Sequence, residues 1–279
     1  MSRPEVAMLA PAPQAVTTAE SIPGLDAIRE NTLIREVDGV KVTGEVIEPA
    51  GRGPHPVLLY LHGGGFSSGC SRDYRNVTLR FAQAGFLVAG VDYRLCPQYP
   101  FPAAFEDCTY AVHWVAQVAS SYHADPRRLV IAGDSAGANL GAAVAAQLAS
   151  ARSDLRISAA AFAYGVFDLE YLIGSAADDR AATRLASYVD VTTERLRDPR
   201  VSPIRSAHVL PPTYLVVGSD DSVYRPQSEL LAARLKDASI EHQFTVADGL
   251  SHAFLTTEAC RSSVSAVVQE MTDFLADHV

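Results

Sequence analysis

Apolar residues along this chain recur in two rhythms, short unbroken runs and longer stretches with helical spacing, and the two alternate. Pro56-Val-Leu-Leu-Tyr-Leu61 and Phe86-Leu-Val-Ala-Gly-Val91 are continuous runs of strand length, separated by a helix-like stretch over 74–84. Runs of this kind suit strands buried on both faces, as in a parallel sheet. Residues 103–119 carry Ala, Phe, Tyr, Val and Trp114 at helical spacing and lead into Arg128-Leu-Val-Ile131, which an Ala-rich stretch over 138–146 follows. Runs at 157–164, 213–217 and 242–246 predict three further strands, and 227–236 and 262–276 two further helices. The pattern as a whole predicts an α/β fold, a mostly parallel central sheet with helices on both faces. Ahead of it, Thr32-Leu-Ile-Arg-Glu-Val37 and Val40-Lys-Val-Thr-Gly-Glu-Val46 alternate about Asp38-Gly39, which predicts a hairpin of two antiparallel edge strands. Residues 1–30, rich in Pro, Ala, Ser and Thr at their start, read as an N-terminal arm or partial cap. Residues 31–279 read as one domain, with a lid-like insertion at about 167–210, where charges, Pro199 and Pro203 break the periodicity.

Composition narrows the partners. At 279 residues the chain can bury one large core. Its net charge of −9 and lack of any Lys/Arg cluster argue against a nucleic-acid or anionic-membrane partner. Cys70, Cys96, Cys108 and Cys260 are widely spaced, without a Cys-x-x-Cys pair or paired His ligands, so neither a metal nor a disulfide framework is expected. The early apolar stretch Val6-Ala-Met-Leu-Ala10 is broken by Pro11 and Pro13, too short for a signal-peptide core, and no window approaches the ~18 apolar residues of a membrane span. The expected setting is cytoplasmic. The chain leaves its oligomeric state open, a homodimer included.

The chemistry gathers at Gly133-Asp-Ser-Ala-Gly137, which lies between an apolar run and an Ala-rich helix. A strand, a sharp turn and a helix are the context in which Gly-x-Ser-x-Gly becomes a nucleophile elbow, with the Ala136 N–H and the positive helix end facing an oxyanion formed at Ser135. Serine needs a base. Of the histidines beyond Ser135, His208 falls in the insertion, His242 starts a strand and His278 is terminal, whereas His252 lies on a loop between the last strand and the last helix. The acid that orients it should end the preceding strand, where both Asp220 and Asp221 qualify; Asp221 is favoured, and Asp168 is a third choice. His62-Gly-Gly-Gly-Phe66 follows a strand and could cradle phosphate, but no Gly-Lys-Ser/Thr closes it. It is better read as an oxyanion loop, as in lipases and esterases.

Together His62-Gly-Gly-Gly-Phe66, Val91-Asp-Tyr-Arg-Leu-Cys-Pro97, Phe101-Pro-Ala-Ala-Phe-Glu-Asp107, Gly133-Asp-Ser-Ala-Gly137, Ser202-Pro203, Leu210-Pro-Pro-Thr213 and His252-Ala-Phe254 resemble the hormone-sensitive-lipase family of carboxylesterases, over about residues 56–276. The resemblance implies the α/β-hydrolase fold, a triad of Ser135, Asp221 and His252, an oxyanion hole made by Gly64, Gly65 and Ala136, and no cofactor. The chain departs from the family at Cys96-Pro97-Gln98, where Ala-Pro-Glu is usual, and at Ser222-Val223, where Pro-Leu commonly follows the acid. The reading is a serine carboxylesterase acting on small to medium, dissolved esters as its small-molecule partner. An amidase or formamidase, or a tailoring enzyme of specialised metabolism, would use the same groups, and a receptor built on an inactive hydrolase is the rival of another class. Phe66, Tyr164, Phe167, Tyr171, Tyr188, Val223 and Phe254 are the candidate pocket walls, and Cys70 lies near the loop.

Overall fold

The computed structural model describes residues 16–18, 22–151, 154–175, 179–258 and 261–279. Among these residues nine strands form one sheet: β1 (Val16–Thr18), β2 (Leu25–Val37), β3 (Val40–Pro49), β4 (His55–Leu61), β5 (Leu87–Asp92), β6 (Ala124–Asp134), β7 (Ala160–Ala163), β8 (Thr213–Gly218) and β9 (His242–Ala247). Their order is β1-β2-β3-β5-β4-β6-β7-β8-β9. The first four strands in that order pair antiparallel, and from β5 to β9 every pairing is parallel. The hairpin therefore forms about Asp38-Gly39, but β3 is not an edge strand, because β5 pairs with its other side. Strand β2 also begins at Leu25, so residues 25–30, assigned to the arm on sequence, belong to the sheet. Expectations for residues 1–15 and 19–21 and for Cys260 lie outside the described residues.

The α-helices among the described residues are, in chain order, α1 (Arg75–Gln83), α2 (Ala103–Val118), α3 (Ala136–Ser150), α4 (Leu169–Gly174), α5 (Asp179–Tyr188), α6 (Thr193–Leu196), α7 (Arg225–Asp237), α8 (Phe254–Thr257) and α9 (Ser262–Ala276). The unbroken strand runs divide between two cores. Val57, Leu59 and Leu61 of β4 join one cluster with residues of α2, α3 and α7. Leu58 and Tyr60 join the other, with residues of α1 and α9. Burying both faces is what the period-2 geometry of a continuous apolar strand requires. The insertion breaks into α4, α5, α6 and a 3₁₀ segment, Pro203–Val209.

The chain leaves β4 for β5 on one side and returns to β6 on the other, so the carboxyl ends of β4 and β6 flank a switch point, the place where open α/β sheets hold ligands. The His62 loop leaves the first of these ends and Ser135 the second. No helix among the described residues is long and apolar enough to cross a membrane.

Candidate active site

Ser135 sits in the turn between β6 and α3 with φ 48° and ψ −115°, a backbone conformation that an L-residue holds only when its surroundings impose it. Its neighbours explain the constraint. A Cβ on Gly137 would collide with the Leu61 carbonyl oxygen and lie 2.5 Å from that of His62, and one on Gly133 would lie 2.7 Å from the Leu61 oxygen. Both glycines are thus required by the close approach of α3 to β4. The Ser135 N–H donates to the Ala163 carbonyl at 2.9 Å, which fixes the turn against β7.

His252 follows β9 on the loop before α8, and its Nε2 lies 3.2 Å from Ser135 Oγ. Its Nδ1 lies 2.7 Å from Asp221 Oδ2. Asp221 is 4% exposed, and its Oδ1 accepts from the Tyr224 N–H at 3.0 Å, so the carboxylate is oriented from both sides. With Nδ1–H donating to Asp221, Nε2 is left as the acceptor for the Ser135 hydroxyl. The imidazole is held sideways by Tyr224, stacked at 4.1 Å, and by Tyr164, edge-on at 4.9 Å. The other acids and histidines do other work. Asp220 is exposed and accepts from its neighbour Ser219, Asp168 caps α4 through the Tyr171 N–H, and His242 and His278 bond to the carbonyls of Ile240 and Phe274.

The third wall is the loop after β4. Gly64 and Gly65 have φ of 117° and 61°, and the Gly64 carbonyl receives the Ser67 and Ser68 N–H groups at 3.2 Å, which curls the loop. The N–H groups of Gly64, Gly65 and Ala136 donate to no acceptor among the described residues. Ala136 opens α3, a helix of 15 residues, so its N–H carries the positive end of the macrodipole. Buried His62 braces this loop: its ring stacks on Tyr93 at 4.2 Å, its Nδ1 bonds to the Gly63 carbonyl at 2.7 Å, and burial lowers its pKa, favouring the neutral ring.

Asp134, the residue before the serine, joins the two walls. Its Oδ1 accepts from the Gly63 N–H at 2.9 Å and from the Tyr60 hydroxyl at 3.1 Å. Burial pushes its carboxyl from 3.8 up to about 6, against the pull of its Tyr60, Gly63 and Tyr74 donors. Between about pH 4 and 6 the folded protein thus holds a proton that the unfolded chain has lost, so stability falls as pH rises across that window and is level above it. From the shift to about 6, the total fall is roughly 3 kcal/mol. Asp134→Asn removes this dependence. Urea unfolding at pH 4 and pH 7 should show the stability of the native protein relative to the Asn variant dropping by about that amount; a constant difference would mean that Asp134 titrates normally.

The candidate pocket residues divide. Phe66 and Tyr188 stack at 3.8 Å beside the oxyanion loop, Tyr164 backs His252, and Val223 is half-buried next to the acid. Tyr171 is 45% exposed, out on the surface of α4. Phe167 and Phe254 are fully buried, as are Phe66, Tyr164 and Tyr188; Phe167 packs against Phe162 and over Gly165, and Phe254 lies edge-on to Tyr164. Tyr224 is the site residue that sequence reasoning missed. Its position three residues past the acid is the one signal that could have marked it. Among the described residues no group of His, Cys, Asp and Glu is placed to hold a metal ion, and Cys70, Cys96 and Cys108 are free thiols.

A serine on a strained turn, a histidine and carboxylate aligned behind it, and unpaired backbone N–H groups opposite form a site of the serine-hydrolase type. A family model described as alpha/beta hydrolase fold matches residues 58–256, and the chain belongs to that family, within its hormone-sensitive-lipase-like branch. It is 32% identical over 210 residues to an ethyl acetate hydrolase of Pseudomonas putida, a match covering 71% of this chain and 65% of that one. A carboxylesterase of Mycobacterium tuberculosis is 44% identical over 102 residues, covering 36% of this chain and 32% of that one. The chain thus spans two thirds or less of the length of these curated relatives. Among solved structures, an esterase of Mycobacterium marinum superposes with a TM-score of 0.80 at 28% identity, covering 91% of this chain and 82% of the other. A hyperthermophilic esterase of Pyrobaculum calidifontis does so with a TM-score of 0.80 at 26%, covering 90% and 83%.

Proposed function

We propose that this chain is a carboxylesterase that hydrolyses small to medium, dissolved carboxylic esters through an acyl-enzyme on Ser135. The observation that carries the reading is the continuous alignment from Ser135 Oγ to His252 Nε2 at 3.2 Å and from His252 Nδ1 to Asp221 at 2.7 Å. In the first step Oγ bonds to the ester carbonyl carbon while His252 takes its proton, and the carbonyl electron pair moves to oxygen. The N–H groups of Gly64, Gly65 and Ala136 hold that oxyanion, each such donor typically worth about 3 kcal/mol of transition-state stabilisation. Collapse expels the alcohol, which takes the proton from His252. Water then attacks the acyl group with His252 again as base, and the acid leaves. Asp221 stays ionised throughout and stabilises the imidazolium.

The preference for dissolved esters has two supports. The relatives include a protein named ethyl acetate hydrolase, whose ester is short. The insertion consists of helices of six, ten and four residues, and the exposed large apolar side chains among the described residues are scattered singly at Tyr171, Val191 and Val246. An enzyme that works on oil droplets needs a contiguous apolar face to bind them. The free thiols of Cys70, Cys96 and Cys108 suit a reducing, cytoplasmic setting. A series of p-nitrophenyl esters from acetate to palmitate, assayed below and above the solubility limit, tests the reading. The expected result is the highest kcat/KM on short acyl chains with no jump when droplets form, and a preference for emulsified long chains would overturn it.

A further inference from the structure

Helix α5 of the insertion is docked on the oxyanion loop. Tyr188 at its end is fully buried and stacks face to face on Phe66 at 3.8 Å, while Leu185 and Val189 are buried beside it. Arg184 lies one turn before Tyr188 on the same helix face, and that places it over the residue preceding Phe66. A Cβ on Gly65 would overlap Arg184 Cδ and lie 2.9 Å from its Nη1 and 3.2 Å from its Nε. The guanidinium therefore rests against a glycine whose N–H is one of the three oxyanion donors. Adding the covalent reach from Cβ to N and one hydrogen bond, Nη1 lies no more than roughly 9 Å from an oxyanion held there.

Elsewhere in the insertion Arg197 and Arg205 pair with Glu170 at 2.8 and 2.6 Å, and Arg200 and Arg195 with Asp198 at 2.7 and 3.7 Å. Arg184 has no carboxylate partner among the described residues. A chain of net charge −9 repels anions in general, and the exposed Arg184 guanidinium, without a carboxylate partner among the described residues, sets a positive charge against the oxyanion loop. Its planar fork matches a carboxylate in two hydrogen bonds.

We propose that Arg184 is a specificity-determining residue that binds a free carboxylate carried by the ester, so that the preferred substrates are anionic esters such as half-esters of short dicarboxylic acids. The distance suits an acid group a few bonds from the reacting carbonyl. This inference rests on the esterase reading and adds the charge of the substrate to it. Two matched pairs separate a carboxylate on the acyl side from one on the alcohol side: p-nitrophenyl hemiglutarate against p-nitrophenyl valerate, and 4-carboxyphenyl butyrate against its methyl ester. In at least one pair the native protein should favour the anion in kcat/KM, and Arg184→Ala should lower that ratio tenfold or more, since a hydrogen bond to a charged group is at stake. Arg184→Lys should recover part of the ratio, because the ammonium keeps the charge and loses the fork. Ratios unchanged within threefold in both pairs would overturn the proposal while leaving the esterase reading intact. Failure of the native protein to hydrolyse any of the four esters would instead sink that reading. Calorimetric binding of glutarate to the native protein and to Arg184→Ala then decides the carboxylate site without turnover: binding lost in the variant supports it, and no binding to either overturns it.

Discussion

Ser135→Ala should lower kcat on a short p-nitrophenyl ester by about 10⁶-fold, the scale on which a triad acts as one unit. The loss follows from geometry, because Ser135 Oγ is the one hydroxyl among the described residues hydrogen-bonded to His252 Nε2, and the oxyanion donors retain only the smaller part of the rate enhancement. Labelling by a fluorophosphonate should disappear with it. The same position also offers a stability control that activity alone lacks. Residue 135 has φ 48°, which costs an L-residue of order 1–3 kcal/mol and glycine almost nothing. Ser135→Gly should therefore be as inactive as Ser135→Ala and yet more stable than it by about 1 kcal/mol in urea unfolding. Turnover retained in either variant would remove Ser135 from the mechanism. Equal stability of the two would mean that the turn holds no strain.

Much of the fold is legible in the sequence. The helix at 262–276 has the bounds its periodicity gave, and each buried strand was announced by an unbroken apolar run, because residues covered on both faces leave no polar position to confuse the pattern. The misses have physical causes. Strand β2 was read from its second half because Asn31, at φ 52°, sits where the register shifts between Arg29 and Thr32, and the bulge interrupts the alternation that marks a half-buried strand. The run at 157–164 forms a regular strand over Ala160–Ala163, with the Ser158 and Tyr164 N–H groups donating to Leu129 and Val216 of the neighbouring strands at its two ends. Pattern shows what is apolar and leaves open which part finds a partner. It leaves exposure open too, since the aromatic Phe167 is fully buried and the aromatic Tyr171 is 45% exposed. The bracing of the site was hidden more deeply. Asp134 reaches Gly63 and Tyr60 across more than 70 residues of chain, and Arg184 reaches Gly65 from another layer, contacts that no local spacing announces.

Adjacent acids pose the sharpest case, and they carry the second large effect: Asp221→Asn should reduce kcat by about 10⁴-fold, whereas Asp220→Asn should stay within about threefold. Successive residues after a strand point in different directions, so spacing alone cannot choose between them. The structure gives them opposite environments. Asp220 is exposed and accepts a hydrogen bond from Ser219, while Asp221 is buried, receiving the Tyr224 N–H on Oδ1 and facing His252 Nδ1 with Oδ2. An asparagine at 221 must keep its carbonyl oxygen on the Tyr224 N–H, since an amide NH₂ cannot accept there. Its NH₂ then faces His252 and forces Nδ1 to become the acceptor. The ring proton moves to Nε2, which can no longer take the proton of Ser135, and the imidazolium loses the buried charge that stabilises it. Stacking on Tyr224 and the edge contact with Tyr164 should keep the ring in place, so the loss belongs to the tautomer and the charge, not to a displaced side chain. Steady-state kinetics on p-nitrophenyl butyrate, with near-ultraviolet circular dichroism to show unchanged packing, measures this. The reverse ranking of the two variants would transfer the orienting role to Asp220, and equal small effects would leave His252 without a carboxylate partner in the mechanism.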